Sequence, residues 1–71
     1  MAHRYYYLTI SNAYSNIKAG ETVLIDTHQQ PKKGELGVYL TEDNKEIIKK
    51  CTNNEANAIG RVIFIGIKLF N

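Results

Sequence analysis

Apolar and polar positions alternate between short β-prone runs and polar breaks along the whole chain. Tyr5 to Ile10 is aromatic and β-branched, a composition that fits a pleated, partly buried surface and predicts a first strand. Alternation along such a strand sends Tyr6 to one face and Tyr5 with Tyr7 to the other, so part of the Tyr5-Tyr6-Tyr7 run fills the core and part stays exposed. Ser11 to Asn16 is small and polar and reads as a loop, and Lys18-Ala19-Gly20-Glu21 as a turn. Thr22-Val23-Leu24-Ile25-Asp26 is a short apolar run of the kind used by a strand covered on both sides.

Thr27 to Gly34, with the single proline and the pair Lys32-Lys33, is a surface connection. Glu35 to Thr41 and Glu46 to Cys51 flank the polar Glu42-Asp43-Asn44-Lys45, which predicts a hairpin. After a polar break at Asn53 to Asn57, Ile59 to Phe70 is the longest apolar strand, and Gly60 and Gly66 within it predict a bend or bulge. The expected fold is all-β, with five or six strands and no amphipathic helix. Regular turn spacing favours a small curled antiparallel sheet or partly closed barrel, in which curling hides the edges.

At 71 residues the chain forms one domain, and a core of that size barely offsets the entropy of ordering it, which makes a partner surface plausible. Nine Lys and Arg against seven Asp and Glu give a net charge of +2, with the cations scattered rather than gathered into a nucleic-acid footprint. The lone Cys51 supports neither an internal disulfide nor a zinc spacing, which fits a reducing, cytoplasmic setting. His3 and His28 each stand apart in polar stretches and read as surface residues, so no metal or cofactor is expected. The longest apolar stretch, Val62 to Ile67, is too short to span a bilayer.

Four blocks in order carry the most information: Ile17 to Asp26, Pro31 to Tyr39, Ile47 to Cys51, and Ile59 to Ile63. Together they resemble the C-terminal domain of LexA and phage cI-type repressors, the serine-lysine self-cleaving peptidases, over about residues 10 to 66. In that family a loop with Ser-Met-x-Pro precedes a Gly-Asp-x-Val-Leu-Val-Asp strand, then come Pro-x-x-Gly-Glu-x-Gly-Val-Tyr, a hairpin return with Val-Lys-Arg-Leu, and a Gly-Arg-Val strand. The resemblance implies chemistry in which a neutral lysine takes the proton of an attacking serine. It places Lys49 at the lysine position, whereas residue types alone make Lys49 and Lys50 an ordinary strand pair on opposite faces.

The attacking group is where the chain departs from the pattern. In the commoner spacing Asn12 stands at the nucleophile position, with Ala13, Tyr14 and Ser15 in place of Met, the acidic residue and Pro. The longer spacing of LexA itself places Ser11 there instead. Only ten residues precede Ser11, too few for an upstream scissile segment or a helix-turn-helix, and Ala19-Gly20 sits on the turn motif. The expectation is a single LexA-like domain acting without catalysis as an interaction or dimerisation module of phage or mobile-element type, regulating a repressor-like partner. It would self-associate as a homo-oligomer or pair with that partner, with no direct nucleic-acid or membrane contact. Two alternatives are a minimal serine-lysine peptidase using Ser11 and Lys49, and a small oligonucleotide-binding barrel using the tyrosines and lysine pairs.

Overall fold

The computed structural model describes residues 3–14, 17–52 and 57–67. Five strands form one sheet: β1 (Tyr5–Thr9), β2 (Thr22–Asp26), β3 (Leu36–Leu40), β4 (Glu46–Lys50) and β5 (Gly60–Ile67). Their spatial order is β1-β2-β5-β3-β4, with every neighbouring pair antiparallel. The all-β curled sheet expected from the sequence is what forms, and it does not close by hydrogen bonds. Ile59 falls just outside β5, and residues 68–70 of the expected last strand lie outside the described residues, as do 15–16 and 53–56 of the expected polar breaks.

Val23 and Ile25 on β2, Val38 on β3, Ile48 on β4 and Val62 on β5 meet Ile10 and Ile17 in the core, with Tyr6 and Leu8 packed against them. Each fully buried aliphatic side chain contributes about 2 kcal/mol through removal of apolar area from water. Tyr6 is half-buried while Tyr5 and Tyr7 are exposed, so of the two orientations that alternation allows, the one with Tyr6 inward is adopted.

The second strand is covered on both sides, for two different reasons. Its inner residues Val23 and Ile25 are core, and its outer residues Thr22 and Asp26 are sealed by polar partners. Thr22 shares a 2.9 Å hydrogen bond with Thr9, and Asp26 accepts from Arg4 at 3.1 and 3.2 Å.

Gly66 sits where the β2–β5 register slips between Thr22 and Val23, and its φ of 75° is the left-handed value that a bulge glycine supplies. At the tip of the β3–β4 hairpin, Asn44 takes a φ of 61°, a conformation asparagine tolerates better than most residues.

The loop after β2 folds back over the outer side of β3. Pro31 is buried there, in the space that a Cβ on Gly37 would occupy. Gln30 holds the backbone of Ala58 at both ends, donating to its carbonyl at 2.8 Å and accepting from its N–H at 3.1 Å.

Candidate functional site

An odd number of strands in an all-antiparallel order leaves both edges of the sheet running the same way. Here those edges are β1 and β4. Curling brings them near each other with no ladder between them, and a cleft of about 720 Å³ lies there. One wall is Leu8 to Tyr14, the end of β1 and the loop beyond it, and the other is Lys45 to Lys49 on β4.

Two side-chain bridges join the edges. The Tyr6 hydroxyl donates to Glu46 Oε2 at 2.6 Å, and the Lys50 backbone N–H donates to the Tyr14 hydroxyl at 3.0 Å. Partial burial, and then the hydrogen bond to the Glu46 carboxylate, push the Tyr6 phenol well above its ordinary range, so it serves as a fixed donor.

The direction of the backbone groups in the cleft follows from the ladders. On β4, Lys45 accepts from the Thr41 N–H and the Cys51 N–H donates to Glu35, so odd-numbered residues face β3. The N–H and C=O of Glu46 and Ile48 therefore point away from β3 toward the cleft. On β1, Arg4 accepts from Thr27 and Ile10 donates to Glu21, which turns the backbone groups of Tyr7 and Thr9 toward the same gap. The cleft thus has sheet-edge backbone on both sides, over a floor containing Leu8, Ile10 and Ile48.

Ser11, Asn12 and Lys49 all line this cleft, Ser11 and Asn12 as exposed loop residues and Lys49 half-buried on β4. Neither lysine of the pair enters the core. Lys49 faces the outer side, where its ammonium lies 4.5 Å from the centroid of the buried Tyr39 ring, and Lys50 is exposed. A cation on a ring face is in a favourable electrostatic position. A general-base lysine instead needs an apolar enclosure that strips water from the ammonium.

Cys51 is buried, and His3 and His28 are exposed. Among the described residues, no three His, Cys, Asp or Glu side chains gather as metal ligands would.

Sequence reasoning missed Tyr14 and Glu46, the residues that join the two edges together with Tyr6 and Lys50. Their partners lie 36 and 40 positions away, and no local pattern marks such pairings.

A second polar cluster lies on the outer face. Gln29 donates to Asp26 at 2.7 Å and accepts from Arg61 at 2.9 Å, and Arg61 donates to Glu35 at 2.9 Å. Glu35 is held below its ordinary value first by the Lys32 backbone N–H and then by Arg61. Both arginines of the outer face are therefore tied to carboxylates of the same chain, Arg4 to Asp26 and Arg61 to Glu35.

No helix among the described residues is long and apolar enough to cross a membrane. Protein-family models, curated proteins and solved structures provide no match to the chain.

Proposed function

We propose that this chain is a non-catalytic interaction module of the LexA and phage-repressor type, which captures an extended segment of a repressor-like partner in the cleft between β1 and β4. The observation that carries the reading is the parity of the sheet. Two edges running in the same direction can both pair with one inserted strand that runs antiparallel to each, and such a strand completes the barrel by main-chain hydrogen bonding. Apolar side chains of the incoming strand would face Leu8 and Ile48, and acidic ones would suit Lys45 and Lys49 on the β4 wall. Interaction without catalysis agrees with Asn12 in the commoner nucleophile register and with Lys49 seated on Tyr39.

Amide exchange tests this reading. When a purified repressor of the LexA or cI type is added, the amides of Glu46 and Ile48 are expected to slow at least tenfold, and Tyr6→Phe should change the affinity by loosening the bridge to Glu46. Protection that spares Glu46 and Ile48, or no binding at all, would remove the proposal.

The shared cleft of Ser11 and Lys49 favours one further reading, a minimal serine-lysine peptidase. It requires a fluorophosphonate probe to label Ser11 faster toward alkaline pH and to lose that labelling in Lys49→Ala. The expected result is no labelling at any pH, and Lys49-dependent labelling would replace the interaction reading with catalysis.

A further inference from the structure

Strand alternation gives the cleft between β1 and β4 a reading frame. The backbone groups that β4 turns to it belong to Glu46 and Ile48, residues of the inner face, and those that β1 turns to it belong to Tyr7 and Thr9, residues of the outer face. A strand antiparallel to both edges therefore bonds β4 through its inward residues and β1 through its outward ones, an alternation that one extended chain supplies.

The levels are fixed as well. Tyr6 meets Glu46 and both edges run the same way, so Tyr7 stands level with Ile47, Leu8 with Ile48 and Thr9 with Lys49. β1 and β4 do not approach as hydrogen-bonded pairs do. One inserted strand needs two spacings of about 4.8 Å, a gap that tyrosine and glutamate side chains meeting tip to tip can cross. At the far end, the Lys50 N–H is taken by the Tyr14 hydroxyl at 3.0 Å, so pairing on β4 begins at Ile48 and runs to Glu46.

We propose that the cleft takes a segment that reads, from its N-terminal side, acidic, aliphatic, aromatic, hydroxyl-bearing, acidic. The proposal rests on the cleft as a strand-capture site and assigns the direction, register and side chains of the strand captured.

The second residue bonds with Ile48 and turns inward onto Leu8, Ile10 and Ile48, an apolar floor that selects an aliphatic side chain. The third turns outward between Tyr7 and Ile47, which are 55% and 41% exposed, and an aromatic ring there covers both. The fourth turns inward beside Glu46, whose carboxylate already accepts from Tyr6 and has further lone pairs for a hydroxyl. A carboxylate in that place would meet Glu46 as a like charge. The first and fifth turn outward on the β4 wall beside Lys49 and Lys45, where acidic side chains meet cations. Lys49 is steadied there by the Tyr39 ring, whose centroid is 4.5 Å from its ammonium.

Amide spectra of the full chain, titrated with two capped peptides of one composition, test this. Glu-Val-Tyr-Thr-Glu follows the pattern, and Glu-Thr-Tyr-Val-Glu reverses it, which sets the hydroxyl on the apolar floor and the valine against Glu46. The first should shift the amides of Glu46, Ile48, Tyr7 and Thr9 with a dissociation constant on the order of 1 mM, and the second should bind roughly tenfold more weakly. Lys45→Glu, at the exposed rim, should weaken the first peptide about threefold, and a peptide ending in lysine should recover the loss. Equal affinities for the two peptides would overturn the pattern and leave the cleft as a strand site. So would the absence of shifts at Glu46 and Ile48 from either peptide up to about 10 mM, when a LexA or cI repressor still protects those amides. If that repressor gives no protection either, the strand-capture reading falls with the pattern.

Discussion

Gly60→Ala is expected to leave little folded protein at room temperature. A Cβ built on Gly60 lies 2.7 Å from the Asp26 carbonyl oxygen, 2.8 Å from Ile25 Cγ2 and 3.0 Å from Thr27 Cα. Two of those atoms are backbone and the third belongs to a fully buried side chain, so the methyl cannot be accommodated by rotating a surface group. Pushing β5 away from β2 would separate the central pair of the sheet. Overpacking of this kind costs about 3 kcal/mol or more, comparable with the whole stability of a domain this small.

Two other glycines calibrate the effect. At Gly20 an added methyl meets open space and the cost is only that of a φ of 91°, about 1 kcal/mol. At Gly37 the nearest atom, 2.6 Å away, is Pro31 Cγ on a loop that can lift, although the Gly60 carbonyl at 3.2 Å limits the relief. Thermal unfolding followed by circular dichroism should rank the loss of stability Gly60→Ala, then Gly37→Ala, then Gly20→Ala. A Gly60→Ala protein as stable as Gly20→Ala would mean that the β2–β5 crossing is not as close as described.

How far each feature could be read from sequence depends on how local its cause is. That Tyr6 lies on the face opposite Tyr5 and Tyr7 is a property of any strand, but which of the two faces turns outward is set by the core that Tyr6 packs against. The bulge at Gly66 follows from a flexible residue inside an apolar strand, and its surroundings only select where the register slips. The burial of Thr22 and Asp26 was legible only in part. An apolar run suggests cover on both sides, but not that Thr9 and Arg4 provide it across 13 and 22 positions.

The cleft is the least local feature of all. Residue types around Ser11 and Lys49 do not announce that the two segments face each other across one cleft. It arises because the order β1-β2-β5-β3-β4 makes β1 and β4 the edges, which side chains bridge where no ladder joins them. Strand order is a global property, set by which hydrophobic faces meet, and the bridges of Tyr6 and Tyr14 follow from it.

The largest polar effect is expected at Asp26, and its sign can be worked out. The carboxylate is fully buried, covered by the groups that bind it: Arg4 through Nε and Nη2, the His28 backbone N–H at 2.9 Å and Gln29 Nε2 at 2.7 Å. These donors, Arg4 foremost, lower its pKa from the ordinary 3.8 to about 2. A group depressed in the folded state binds fewer protons there than in the unfolded chain, so its stabilisation is complete above the unfolded value and disappears as the pH falls through the folded one.

Unfolding midpoints of the parent should therefore drop between about pH 4 and pH 2. Asp26→Asn replaces one accepting oxygen with a donor aimed at Arg4, and should lower the midpoint at neutral pH by roughly 10 °C or more. Across the acid window its curve should be flatter than the parent's and approach it near pH 2. Some slope should survive from Glu35, whose depression has the same sign. Because Gln29 bridges Asp26 to Arg61, and Arg61 holds Glu35, the double variant Asp26→Asn/Glu35→Gln should lose less than the sum of the single losses. Parallel parent and Asp26→Asn curves from neutral pH to pH 2 would place the acid sensitivity elsewhere, and would show that Arg4 and Gln29 bind this carboxylate without favouring its charged form.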